Sequence, residues 1–255
     1  MSDPASRRRI LIVNPNTSER ITALMLAEAR RQAPPDADVT AVTAPFGPAS
    51  LECPADLVIA AHSVLTVLAM QADACDAAII GAFGDPGLDA ARDLLPIPVF
   101  GLGEEGLRAA AGEGRRFAIL TVGPRMKESL ERAARAAGVA DALAGIAFLR
   151  ASVLDLAEAG SDRHEEIADA ARACAVELRA DAVLLAGAPF SGMARLLAPR
   201  VPVPLFDGLT SALRAALAAG PRGAGAEPAQ DIPGKPMTGV APALARLIRA
   251  RLAAR

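Results

Sequence analysis

The chain alternates short, wholly apolar runs with longer segments of helical periodicity, and each apolar run stops at a turn rich in Gly, Pro or Asn. A strand buried on both faces reads as an unbroken apolar run, and its return to a parallel neighbour requires a helix. The alternation therefore predicts a parallel α/β fold. Ala77-Ala78-Ile79-Ile80 shows it best: it runs into Gly81-Ala82-Phe83-Gly84-Asp85-Pro86-Gly87, and a helical pattern follows. Strands are expected at Ile10–Val13, Val39–Thr43, Ala77–Ala82 and Val99–Gly101, with helices over Glu19–Gln32 and Ala55–Gln71. Near residue 115 the pattern restarts. Phe117–Thr121, Ala147–Arg150, Ala182–Ala186 and Val203–Phe206 read as strands. Gly123-Pro124-Arg125-Met126 opens a helix, Ser161 is the expected N-cap of a helix through Arg179, and Val240–Ala254 is the terminal helix. Gly220–Pro236 reads as a loop.

Two similar halves follow, 1–115 plus 208–255 and 116–207. Parallel strands align their tips, so Asn16, Ser50, Ala82, Thr121 and Gly187 fall on or just after one edge. A ligand cleft between the halves is expected there.

Composition narrows the function. A net charge of -2 gives no field for nucleic acid or an anionic membrane, and without Trp or Tyr few rings remain for stacking on bases. No apolar run approaches the length expected of a membrane span, and the polar first residues lack a leader pattern, so a cytoplasmic protein with a small-molecule substrate is expected. Three scattered cysteines make no disulfide framework. No phosphate-loop lysine motif occurs, and Gly101-Leu102-Gly103 lacks the rest of a dinucleotide fingerprint, so no nucleotide cofactor is expected. Helix 55–71 is apolar nearly all round, which fits packing on two sides or contact within a homo-oligomer.

Four segments, Val13-Asn14-Pro15-Asn16-Thr17-Ser18, Gly47-Pro48-Ala49-Ser50-Leu51-Glu52, Phe83-Gly84-Asp85-Pro86-Gly87 and Pro98-Val99-Phe100-Gly101-Leu102-Gly103-Glu104, together with Pro204-Leu205-Phe206-Asp207-Gly208, resemble the Asp/Glu/hydantoin racemase superfamily, hydantoin racemase branch. The resemblance covers most of the chain. It implies two flavodoxin-like halves with the active site between them, and two thiols, one on each side of the substrate carbon. The first thiol precedes the Phe-Gly-Asp-Pro-Gly motif, where this chain has Ala82. The second follows the strand ending at Ala186, where this chain has Gly187 or, in another alignment, Phe190. None of these side chains moves a proton.

The reactive group is then expected elsewhere. Cys53, just before a helix opened by Pro54, is the candidate nucleophile or ligand of a divalent metal such as zinc; an inert thiol beside the helix start is the alternative. Cys75 and Cys174 fit structural positions. His62 is on the order of 13 Å along the helix from Cys53, and His164 fits a solvated first turn. Glu52 and Asp207 are candidate catalytic carboxylates, and each could instead cap a turn. Asn16, Ser50, Ala82, Phe83, Asp85, Thr121, Gly187 and Ser191 are the candidate substrate contacts, although Asn16 and Asp85 could simply brace their turns. The expected activity is hydrolytic or lytic attack on a hydantoin-like ring or related small carboxylate, aided by a metal-bound water. Two alternatives stay open: a hydantoin or amino-acid racemase with Glu52 and Asp207 as unusual bases, and a ligand-binding descendant without catalysis.

Overall fold

The computed structural model describes residues 7–220 and 236–253. The first half carries β1 (Arg8–Asn14), α1 (Glu19–Gln32), β2 (Ala37–Thr43), α2 (Pro54–Gln71), β3 (Ala77–Ile80), α3 (Leu88–Leu94), β4 (Val99–Gly101) and α4 (Leu102–Ala111). The second carries β5 (Phe117–Thr121), α5 (Lys127–Ala136), β6 (Leu143–Phe148), α6 (Val153–Ala159), α7 (His164–Glu177), β7 (Ala182–Leu185), α8 (Met193–Leu197), β8 (Leu205–Asp207) and α9 (Gly208–Ala218). α10 (Pro242–Ala253) returns to pack on α2 and α3. All strand pairs are parallel, and the two sheets, ordered β2-β1-β3-β4 and β6-β5-β7-β8, share one topology. The expected α/β architecture of two like halves is thus observed.

Side-chain alternation along each strand separates three cores. Ile10, Ile12, Ala77 and Ile79 of the first sheet share one core with Phe117, Ile119, Ala182 and Leu184 of the second. The odd-and-even partners face outward: Leu11, Val13, Ala78 and Ile80 under α2 and α3, and Ala118, Leu120, Val183 and Leu185 under α7. The helices that follow β4 and β8 fill the middle. α4 packs against α9 and reaches β7 and β8, while α9 reaches back to β3 and β4. A Cβ at Gly208 would run into the carbonyl and side chain of Leu102, and one at Gly106 would lie 3.2 Å from Gly208 Cα. The helix starts meet through glycine because nothing larger fits.

Several expectations are corrected. β6 lies at Leu143–Phe148 rather than Ala147–Arg150; as an edge strand it is only half-buried, so it lacks the unbroken apolar signal. Ser161 caps no helix. It lies in a tight turn before α7, and the capping serine is Ser152, whose side chain and that of Asp155 form a capping box for α6. α2 has the length and composition of a membrane-crossing helix, contrary to the sequence expectation, yet it packs on β1, α3 and α10. It is not buried on two sides, for Val58 is 74% exposed and Ile59 and Met70 are exposed as well. Most of the loop expected at Gly220–Pro236 lies outside the described residues.

Gly208→Ala should cost about 1–3 kcal/mol of stability by overpacking the helix contact, read as a lower urea midpoint at unchanged slope. An unchanged midpoint would show that the two helices separate freely.

Candidate functional site

In each sheet the order reverses beside the first strand, with β2 on one side of β1 and β3 on the other, and likewise around β5. Such a switch point leaves a crevice at the carboxyl ends of the strands. Here both crevices open into one cavity of ≈ 50 Å³. Asn16 follows β1, Ala82 and Phe83 follow β3, Thr121 and Val122 end β5, and Ala186 to Phe190 follow β7. Leu51, Met126, Leu130 and Val153 complete the wall. Five sequence candidates therefore come together: Asn16, Ala82, Phe83, Thr121 and Gly187.

The wall is apolar and has no side chain that titrates in the physiological range. Its polar groups are few and held in place. Asn14 Nδ2 donates to Asn16 Oδ1 (3.0 Å) and Thr22 Oγ1 (2.9 Å), and the Ser18 amide donates to Asn16 Oδ1 (2.9 Å), so Asn16 keeps Nδ2 for a ligand. The Thr121 hydroxyl donates to the Ala186 carbonyl at 2.7 Å, joining β5 to β7 and leaving its oxygen as an acceptor. In the facing turns, Asp85 N–H donates to Ala82 C=O and Phe190 N–H to Gly187 C=O. The amides of Ala82, Phe83, Gly187 and Ala188 donate to none of the described residues. Gly187 has φ +132°, a backbone conformation that favours glycine.

The other candidates lie outside this wall. Asp85, at φ +44°, turns its carboxylate to the start of α4, where Gly103 N–H (2.8 Å) and Glu104 N–H (2.7 Å) donate to it. A Cβ at Gly101 would collide with that carboxylate, so Gly101-Leu102-Gly103 forms its cradle. Burial pushes Asp85 up to about 7 against those two donors. Asp207, 2% exposed, is the N-cap of α9: Thr210 donates to it through N–H and Oγ1, both at 2.9 Å, and the Gly192 amide donates as well. Burial raises its pKa against these bonds. Asp207, expected as a catalytic carboxylate, stands outside the cavity wall and holds the start of α9. Ser191 likewise braces its turn, donating to the Ala188 carbonyl at 2.6 Å.

Glu52 and Ser50 flank Leu51 of the wall in sequence, and Ser50 Oγ donates to Glu52 Oε1 at 2.7 Å. Glu52 faces Gly123 of the second half, whose Cβ would lie 3.9 Å from it. Cys53 points its thiol at Asp56. Burial pushes the Asp56 carboxyl up, but donation from the Glu52 amide and from the thiol and amide of Cys53 outweighs it and holds Asp56 below its ordinary value. Among the described residues no three His, Cys, Asp or Glu gather as a metal site, so Cys53 lacks the partners that the expected zinc ligand needs. Burial pushes the Cys75 and Cys174 thiols up to about 11, in keeping with structural positions. Besides Ala186, Ala188, Pro189 and Phe190 around Gly187, the wall residues that the sequence candidates leave out are Leu51, Val122, Met126, Leu130 and Val153. Only the four-residue spacing of Met126 and Leu130 marks them, and it marks core equally well.

The family model for Asp/Glu/Hydantoin racemase matches residues 10–216. A hydantoin racemase of Paenarthrobacter aurescens is 30% identical over 210 residues, 82% of this chain and 89% of that one. The structure of an allantoin racemase from Klebsiella pneumoniae superposes with a TM-score of 0.79 at 30% identity, covering 83% of this chain and 86% of that chain. One from Pseudomonas fluorescens gives 0.76 at 28%, covering 82% and 89%. These relatives are named racemases, which overturns the expectation of a hydrolase or lyase.

Asp85 tests the frame through pH. An ordinary Asp loses its proton near 4, whereas the folded Asp85 keeps its proton up to about 7. Between those values the folded state binds the extra proton, so stability falls as pH rises through the window. Asp85→Asn, neutral throughout, should be less stable by about 1–3 kcal/mol at acid pH, since its amide N–H₂ faces a backbone N–H. It should also lose that part of the decline between pH 4 and 7. Parallel urea-midpoint profiles for the two proteins would refute this assignment.

Proposed function

Because the chain belongs to the Asp/Glu/hydantoin racemase family, we propose that it exchanges the acidic C–H proton of a small hydantoin-like ring and so interconverts its enantiomers. One observation carries this reading: the residues at the tips of β3 and β7 that line the apolar cavity have amides that donate to none of the described residues. Removing a proton from a carbon beside a carbonyl leaves an enolate. Fixed N–H groups in a dry site stabilise such a charge without reorganising. Asn16 Nδ2 adds a side-chain donor, and the apolar wall accepts the ring faces.

Ala82 and Gly187 offer no acid or base, so the proton goes elsewhere. Glu52, oriented by Ser50, takes the proton from the ring carbon as the C–H bond breaks, and the enolate oxygen accepts from the strand-tip amides. Water on the face opposite Glu52 returns a proton to the carbon, which inverts it, and the hydroxide so formed takes the proton from Glu52, leaving composition unchanged; return from Glu52 itself only restores the starting enantiomer. A second reading has its own support. A cavity wall without a titratable group suits a family member that binds the ring and does not turn it over.

Optical rotation and proton NMR of a single-enantiomer 5-substituted hydantoin in D₂O separate the two readings. Racemisation predicts loss of rotation above the buffer rate with deuterium entering at the ring carbon, and Glu52→Gln should slow it on the order of 100-fold. Binding with no deuterium uptake selects the second reading. Full activity in Glu52→Gln moves the base elsewhere.

A further inference from the structure

We infer that α6 is the movable wall of the cavity and that Arg20 is the latch that holds it shut. This rests on the reading that the cavity takes a ring ligand. At ≈ 50 Å³ the cavity holds only about four waters at 10–15 Å³ each. The cavity is open on one side, and a wall that yields would let a five-membered ring with its substituent sit deeper.

Leu51 lies in a loop tied to α2 by the Glu52 amide and Asp56, Met126 and Leu130 belong to the start of α5, which packs on α4, and three further stretches of the wall are fastened. The turn after β3 is tied to α4 through the Asp85 carboxylate. The turn after β7 is held by Asp207, through the Gly192 amide, and by Glu28, whose carboxylate occupies the space a Cβ at Gly192 would need. The tips of β1 and β5 belong to their sheets. α6 differs. It is a seven-residue helix whose main contacts are α1, the Ala188–Phe190 turn and its own following turn. Only Leu156 and Ala157 are buried. It begins at the capping box of Ser152 and Asp155 and ends at Gly160, which has φ +54° and open space where a Cβ would stand. Val153, in its first turn, is the side chain that it places in the cavity wall.

Beyond the packing of Ala157 into the shared core and of α6 on α1, its one hydrogen bond to the first half among the described residues is from Arg20 Nε, on α1, to the Ala157 carbonyl at 2.9 Å. That carbonyl is in the last turn of α6, where carbonyls lack partners within the helix. A guanidinium there meets the negative end of the helix. Arg20 has no ion pair among the described residues, so this carbonyl is its one recorded partner. Release of the bond lets α6 swing about Ser152 and Gly160 and withdraw Val153, enlarging the cavity without disturbing either sheet.

Hydrogen exchange of the full chain reads the latch directly. In Arg20→Met the amides of Leu156 to Ala159 should exchange roughly tenfold faster, the loss of one charge-assisted bond. The β5 and β7 amides and the thermal midpoint should match wild type. Arg20→Lys, which can still donate to the carbonyl, should fall between. Stopped-flow mixing with 5-benzylhydantoin should show a similarly faster association in Arg20→Met, since more molecules are open before the ligand arrives. Unchanged exchange in α6, or uniform acceleration across the sheets, overturns the latch. If the probe binds neither protein, the ring-ligand reading fails, and the exchange result alone decides the latch.

Discussion

Two helix starts pressed together through glycine set the geometry of everything else. Leu102 opens α4 and Gly208 opens α9, and no side chain can stand between them. Each helix follows the last strand of its own sheet and packs across onto the other. The sheets are thereby held with their carboxyl edges facing, and the two switch points share one cavity. The local sequences mirror the arrangement: Pro98-Val99-Phe100-Gly101-Leu102 and Pro204-Leu205-Phe206-Asp207-Gly208 perform the same strand-to-helix step in the two halves. A buried carboxylate secures each step, Asp85 at α4 and Asp207 at α9.

The strands were legible where burial is complete. β1, β3, β5 and β7 have apolar cores on both faces, so their sequences carry unbroken Ile, Leu, Val and Ala. β6 was displaced because Leu143-Ala144-Gly145-Ile146 is half-buried and interrupted by a glycine that Leu178 overlies. α6 was missed because one serine cap resembles another in sequence, and Ser152 lies nine residues before the one chosen. At the site, Asn16, Ala82, Phe83, Thr121 and Gly187 could be placed because parallel topology alone sends strand tips to one edge. Asp207 could not, since a carboxylate before a glycine reads the same as base or as cap until the N–H groups around it are seen. Val122, Met126, Leu130 and Val153 stayed hidden for a plainer reason. An apolar residue facing a cavity has the same pattern as one facing the core.

The cavity is unusual in what stabilises charge there. Its resources are backbone amides and one carboxamide, all fixed by the fold and insensitive to pH. Such a set favours a transient anion once formed and contributes little to forming it. In the reaction proposed above the proton-handling group is Glu52, which meets Gly123 of the other half. On these proposals access, binding and proton transfer would depend on different elements: α6 and Arg20, the strand tips, and the Ser50–Glu52 loop.

The Asp85 turn gives the family resemblance a different meaning. Its aspartate grips α4, and Gly101 and Gly103 leave room for the grip. Apart from Phe83, which lines the cavity, the segment most recognisable in the sequence is therefore scaffolding, answerable to the frame. Ala82 sits immediately before it and is free to change without loosening any of those bonds. Kinship and reaction are written in neighbouring residues under separate constraints, so descent can be read with assurance at the very place where the chemistry has room to drift.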